Sequence, residues 1–102
     1  MKSCNYILTV NNPDVTLVEF VEYAKAKGAS TIVAQLEKGE SGTPHFQVFI
    51  QYSSKRHFNA VKKSFPTAHI EAAKNALKAY NYCKKTESRI EGPIEFGPIP
   101  KP

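Results

Sequence analysis

A chain of 102 residues is one domain by length, with 41% hydrophobic and 11% aromatic residues, the composition of a globular protein. Its formal charge of +5 favours polyanionic partners, nucleic acid first, although a merely basic surface carries the same signature. No apolar run approaches the ~18 residues of a membrane span, Cys4 and Cys83 have no disulfide-framework spacing, and Met1-Lys2-Ser3-Cys4-Asn5 leads straight into a strand-like segment, so no signal peptide is expected. An intracellular protein with reduced thiols is expected.

Tyr6 to Val10, rich in β-branched and aromatic residues, predicts a first strand that Asn11-Asn12-Pro13 ends. Thr16 with Glu19 forms a capping-box pattern, and Leu17, Phe20, Val21 and Ala24 follow at helical spacing up to Gly28. Thr31–Leu36 and His45–Tyr52 predict two strands of a hairpin around the polar turn Lys38-Gly39-Glu40-Ser41-Gly42. Ser53-Ser54 can cap a second helix carrying Phe58, Val61 and Phe65, which Pro66 ends. Ala68-His69-Ile70 predicts a short strand. Ala72 to about Lys85 predicts a third helix with Ala73, Ala76, Leu77 and Tyr80 as its apolar stripe. Ile94-Glu95-Phe96 can add an edge strand before a proline-rich end, residues 98–102, that reads as linker. The order βαββαβα predicts an α+β domain of ferredoxin-like type, a central antiparallel sheet flanked by helices. There is no phosphate-binding glycine loop of the G-x-x-x-x-G-K-[ST] kind.

Strand alternation groups three polar residues. Phe46, Val48 and Ile50 point one way, so His45 and Gln47 point the other. Ile32, Ala34 and Leu36 likewise leave Gln35 and Glu37 opposite. If both apolar sets face one core, Glu37, His45 and Gln47 share the wet face. An imidazole nitrogen with two oxygen ligands suits Mg²⁺ or Mn²⁺ and is a poor structural zinc site. Polar alternation on a half-exposed strand is also commonplace and requires no ion.

On the third predicted helix, Tyr82 and Lys85 stand one turn apart, in a polar stripe with Asn75 and Lys78. Core packing explains Tyr80 but not Tyr82, about 200° away around the helix, so Tyr82 is the better nucleophile candidate. A stripe lying flat on the sheet would turn Tyr82 away from the metal face. Either the helix end bends or the stripe packs elsewhere, and a solvated helix face accounts for the pair equally well. Asn11 and Asn12 could bind DNA or form a turn. Lys55, Arg56, Lys62 and Lys63 with His57 make a basic second helix that could follow a DNA backbone or be its solvated side. Cys83 lacks a His/Asp relay and is not read as a nucleophile.

Together these segments resemble the HUH-type endonuclease domain of the replication initiator (Rep) proteins of circular single-stranded DNA viruses, nearest the circovirus and nanovirus group. The first family motif is similar to Ile7-Leu8-Thr9-Val10-Asn11-Asn12-Pro13. The second, a histidine-hydrophobic-histidine motif with glutamine as its last member, resembles Thr43-Pro44-His45-Phe46-Gln47, and the upstream metal carboxylate matches Glu37. The tyrosine-x-x-lysine motif matches Tyr82-Cys83-Lys84-Lys85, and segments 68–71 and 88–93 also look like family segments. The likeness runs from about residue 5 to residue 97. Val48 stands where the family usually has glycine, and the family's C-terminal superfamily 3 helicase is missing, so residues 1–97 look like an excised nuclease domain.

The resemblance implies a metal-dependent enzyme that nicks and joins the single-stranded loop of an origin hairpin in the nucleus of the infected host cell, to start and end rolling-circle replication. It implies Tyr82 as nucleophile, forming a 5′-phosphotyrosine, and Lys85 as charge stabiliser or proton donor. Glu37, His45 and Gln47 would hold Mg²⁺ or Mn²⁺, and Asn11, Asn12, Lys78, Lys55 and Arg56 would contact DNA. A homo-oligomer is expected only of a full-length protein. The rival reading is a non-catalytic single-stranded nucleic-acid-binding module. Such a module would carry aromatics on its exposed strands, where this chain has Glu37, His45 and Gln47.

Overall fold

In the computed structural model, which describes all 102 residues, period-two apolar sets on four strands close one core. The elements are β1 (Lys2–Asn11), α1 (Leu17–Ala26), β2 (Thr31–Lys38), β3 (Pro44–His57), α2 (Phe58–Ser64), β4 (His69–Ala72), α3 (Ala76–Tyr82) and β5 (Arg89–Phe96). The sheet is wholly antiparallel with strand order β4-β1-β3-β2-β5. Its first four strands have the ferredoxin-like order, and β5 extends the β2 edge. Tyr6, Leu8 and Val10 of β1, Ile32 and Ala34 of β2, Phe46, Val48 and Ile50 of β3 and Ile70 of β4 share one face. Leu17, Phe20, Val21 and Ala24 of α1 and Val61 of α2 cover it.

The local signals act as expected at α1. The Thr16 hydroxyl accepts from the Glu19 amide at 3.1 Å, and the Glu19 carboxylate accepts from the Thr16 amide at 2.8 Å. Gly28, at φ +98°, turns the chain out of the helix where a side chain would be strained.

Three expectations are corrected. Ser53-Ser54 cap no helix. β3 continues to His57 because β1 already starts at Lys2 and offers ladder partners, with Lys2 opposite His57 and Ser3 opposite Arg56 across an irregularity near Asn5. Lys55 and Arg56 therefore belong to a strand, not to a basic helix. The third helix is half its expected length. Ala72 is taken by β4, where it pairs with Tyr6, and Asn75 caps the helix by accepting from the Lys78 amide at 3.0 Å. The helix ends at Tyr82, and from Cys83 onward the chain turns away from its axis. Finally, the second face of the sheet is not wet. Val33 and Phe49, fully buried, hold Ala79, Tyr80 and Cys83 of the α3 segment, with Ile7 alongside. At the proline-rich end the Thr31 hydroxyl donates to the Pro98 carbonyl at 2.7 Å, and Pro100 is buried.

Phe49 meets Tyr80 edge to face, with ring centroids 6.1 Å apart. Phe49→Ala should cost about 3–5 kcal/mol, read by urea denaturation. Because Phe49 is the main seat of α3, backbone amide exchange in residues 76–83 should accelerate more than in α1, where the seat is untouched.

Candidate active site on the α3 face

The residues facing α3 form rows across the strands, set by register. In one row Asn11, His45, Glu37 and Arg89 are successive cross-strand partners. In the next, two residues along, stand His69, Thr9, Gln47 and Gln35. In the third, Glu71, Ile7, Phe49, Val33 and Glu95 follow. The centre of the third row is apolar and seats α3; the first two rows are polar and lie beside its C-terminal end.

Glu37 is the centre of the polar rows and is 1% exposed. Lys85 Nζ donates to both its oxygens, at 2.9 and 2.8 Å. Gln35 Nε2 donates to Oε2 at 2.7 Å, and the Ser88 hydroxyl to Oε1 at 3.3 Å. Burial pushes the Glu37 carboxyl up, but the hydrogen bonds from Lys85 and Gln35, the charge of Lys85 and the contact with His45 outweigh it and hold the group below the ordinary carboxylate range. A carboxylate so placed stays charged, and a buried charge demands a cation. Lys85 fills that role here.

His45 Nδ1 lies 3.2 Å from the Thr43 carbonyl, which can only accept, so Nδ1 is the donor. In the neutral ring Nε2 then turns a lone pair toward Glu37 Oε1, 3.1 Å away. Two lone pairs converging on one point call for a proton or a cation between them. Gln47, next to His45 on the same face, uses its Nε2 to donate to the Leu8 carbonyl and the Thr9 hydroxyl, both at 3.3 Å, which leaves its oxygen available. The donor set of carboxylate, imidazole and amide oxygen fits a hard divalent ion. Only two of these ligands are His, Cys, Asp or Glu, and no group of three or more such side chains that could hold an ion stands anywhere on the chain.

Tyr82 closes α3 and is 51% exposed. Lys85 does not share its helix face. It follows the helix end, and its ammonium returns over the Tyr82 ring at 3.9 Å from the centroid. Tyr82 and Glu37 are thus linked through one cation. This also resolves the orientation of Tyr82: α3 docks by Ala79, Tyr80 and Cys83 on the same sheet face that carries Glu37, His45 and Gln47. A cleft of about 360 Å³ lies between Tyr82 and the sheet, lined by Ile7, Thr9, Gln47, His69 and Glu71.

The other tyrosine is engaged. Tyr80 is 2% exposed and its hydroxyl donates to Glu95, to which Lys84 also donates at 2.9 Å. Burial and the Glu95 carboxylate push its hydroxyl up to about 12. Burial pushes the Cys83 thiol up to about 12 as well, which excludes it as a thiolate nucleophile at neutral pH.

Of the expected DNA contacts, Asn11 lies opposite His45 at the site. Asn12 takes a left-handed turn conformation, φ 48°, with its amide donating to the Pro44 carbonyl at 2.8 Å. Lys78 is exposed one turn before Tyr82 on α3. Lys55 and Arg56 are not brought to the site; they lie at the far end of β3. Arg56 packs on the Tyr52 ring and donates to the Lys27 carbonyl at the end of α1.

Gln35 and Ser88 were not singled out from the sequence. Gln35 Nε2 joins Glu37 to the Lys85 carbonyl, at 2.8 Å, while its own Oε1 is buried without a partner. The signal was present: Gln35 has the same parity as Glu37.

The arrangement defines an α+β domain with a carboxylate, imidazole and amide beside a tyrosine and a lysine. Residues 3–86 match the family described as "Putative viral replication protein". Over 95 residues, 90% of this chain, it is 34% identical to the master replication protein of Banana bunchy top virus, of which it covers 30%. Over 81 residues, 78% of this chain, it is 36% identical to the replication-associated protein of Beak and feather disease virus, covering 28% of it. The chain belongs to the viral replication protein family of circular single-stranded DNA viruses. It spans less than a third of the length of these relatives.

Because the Tyr80 hydroxyl is raised above the usual 10.0, its hydrogen bond stabilises the fold below pH 10 and is lost as pH rises through about 12. The alkaline absorbance difference between wild type and Tyr80→Phe should give a tyrosinate midpoint near 12. Glu95→Gln should bring that midpoint down.

Proposed function

We propose that this chain is a nuclease and strand-joining domain for single-stranded origin DNA, with Tyr82 as nucleophile. The observation that carries the reading is the Lys85 ammonium, which touches both the Glu37 carboxylate and the Tyr82 ring. Segments separated by about 45 residues thereby converge on one half-open cleft.

In this reading Tyr82 Oη attacks the scissile phosphorus. The P–O3′ bond breaks, a 5′-phosphotyrosine forms, and the 3′ oxygen leaves as a hydroxyl able to prime synthesis. A later 3′ hydroxyl reverses the step and rejoins the strand, because the covalent link conserves the bond. Tyr82, half exposed, would give its proton to solvent, and the leaving oxygen must gain one. Lys85, lying on the Tyr82 ring, can neutralise the developing phosphate charge and supply a proton. Glu37, His45 and Gln47 would hold Mg²⁺ or Mn²⁺, which when bound polarises and orients the phosphate. Gln35 and Ser88 keep the Glu37 carboxylate aimed. Asn11 and Lys78 flank the cleft and would position the strand. Tyr80 is unsuited to the attack, since its hydroxyl is buried and committed to Glu95.

The test is a denaturing gel of protein mixed with a labelled single-stranded origin-loop oligonucleotide and Mn²⁺, with an EDTA control. A covalent protein–DNA band is expected in wild type alone. Tyr82→Phe should lower cleavage by at least about a thousandfold while DNA binding persists. Lys85→Ala should cost about a hundred- to a thousandfold in rate, and His45→Ala should remove the metal response. A band that persists in Tyr82→Phe overturns the assignment of the nucleophile; binding without any band, at every loop sequence tried, favours a non-catalytic binding module.

A further inference from the structure

Three cations follow Tyr82 within the next turn and strand: Lys84, Lys85 and Arg89. Two are already paired. Lys84 donates to Glu95 at 2.9 Å, and Lys85 donates to both oxygens of Glu37 at 2.9 and 2.8 Å. Arg89 makes no ion pair. It is exposed, and its one side-chain hydrogen bond is long, from Nη1 to the Lys84 carbonyl at 3.4 Å. A guanidinium carries five N–H donors and keeps its charge at any working pH. Most of that donor fork is unused here.

The backbone keeps Arg89 from an anion. Glu87 and Glu91 stand two residues before and two after it. In a regular strand Glu91 would point to the same side as Arg89. Here one step along β2, from Leu36 to Glu37, matches two along β5, from Glu91 to Arg89, so Ile90 is an extra residue. Leu36 packs on the main core while Glu37 faces α3, and their partners take the same sides. The bulge therefore turns Glu91 away from α3 and brings Arg89 into the row of Asn11, His45 and Glu37. Re-aiming one side chain beside reacting groups is a recurrent use of bulges. Paired Cα atoms lie about 5 Å apart across strands, so Arg89 is the next residue outward from the Glu37 carboxylate. Lys85 can bind a phosphate only by loosening its hold on Glu37, whereas Arg89 gives up one weak bond.

We infer that Arg89 grips the phosphate next to the one that Tyr82 attacks, two of its N–H groups on two non-bridging oxygens, and so sets the register of the single strand on the site. The inference rests on the nuclease reading above. It adds the edge strand β5 to the surface that holds the substrate.

The test compares Arg89→Gln, Arg89→Lys and Lys101→Gln, the last removing an equal charge elsewhere. Each is made with Tyr82 present and in a Tyr82→Phe background, where binding is read without cleavage. Urea denaturation reads the fold. The probes are origin-loop single strands in which each phosphate around the nick is replaced in turn by a neutral methylphosphonate. Arg89→Gln should weaken binding of the unmodified strand about tenfold, with a slope of log K against log salt shallower by about 0.7, the share of one phosphate. Its urea midpoint should be unchanged. Arg89→Lys should recover the slope but only part of the affinity, since an ammonium lacks the fork. With the neutral linkage beside the nick, the Arg89 and Gln proteins should bind alike; at linkages farther off the gap should persist. In turnover the loss should fall on KM, with kcat changed less than about twofold. An Arg89→Gln no weaker than Lys101→Gln, a gap that persists at every neutral linkage, or a loss matched by a lower urea midpoint would each overturn the inference. Absence of cleavage in every protein, with one linkage still closing the gap, would count against the nuclease reading only.

Discussion

Glu37 meets His45 because β2 and β3 pair in one register, and nearly every other feature of the site follows from that pairing. The same register sets Gln35 beside Gln47 and Val33 beside Phe49. Polar and apolar rows therefore alternate on one face at two-residue steps. A slip of β3 by one residue would carry His45, Gln47 and Phe49 into the main core and bring Phe46, Val48 and Ile50 out to face α3. The large aromatic and aliphatic side chains of the main core forbid that exchange, so core packing is also what assembles the site.

The apolar row gives α3 its position, and α3 gives Tyr82 its position. A seven-residue helix has little stability of its own, since isolated helices of that length are not stable in water. Its geometry comes from outside: Asn75 at its start, Phe49 and Val33 beneath it, and the Tyr80–Glu95–Lys84 contacts at its side. β5 thus serves the site without contributing a reacting group. Glu95, across from Val33, ties the edge strand to the helix that ends in Tyr82. The two tyrosines, two residues apart, are separated in role by this anchoring, one committed to the fold and the other left at the cleft.

Much of this was legible in the residues. Strand parity alone put Glu37, His45 and Gln47 on one face, and the helical angle alone separated Tyr82 from Tyr80. The burial of the second sheet face beneath α3 was missed because only alternate residues were taken as core. Ile32-Val33-Ala34 and Val48-Phe49-Ile50 are unbroken apolar runs, and such runs mark strands buried on both faces. The extent of β3 was missed for a different reason. Ser53-Ser54-Lys55-Arg56 has no strand propensity to speak of, and only the long-range partner supplied by Lys2 and Ser3 makes it extended. Helix length failed at Ala72, where pairing with Tyr6 overrode a locally good helix former.

Lys85 lies beyond the last turn of α3; its amide donates to the Tyr82 carbonyl at 3.3 Å, and its Gln35 and Glu37 bonds tie the turn to the sheet. Glu37 is therefore one anion with two prospective counter-ions, the ammonium already there and any ion brought to His45. The two cannot both hold its oxygens in full. By linkage, each must weaken the other by the same factor. An ion that drew the carboxylate away would release the lysine from the sheet while leaving the tyrosine, fixed by the helix, where it was. The charge that steadies the resting site would thus become free to follow a phosphate at the moment one arrives.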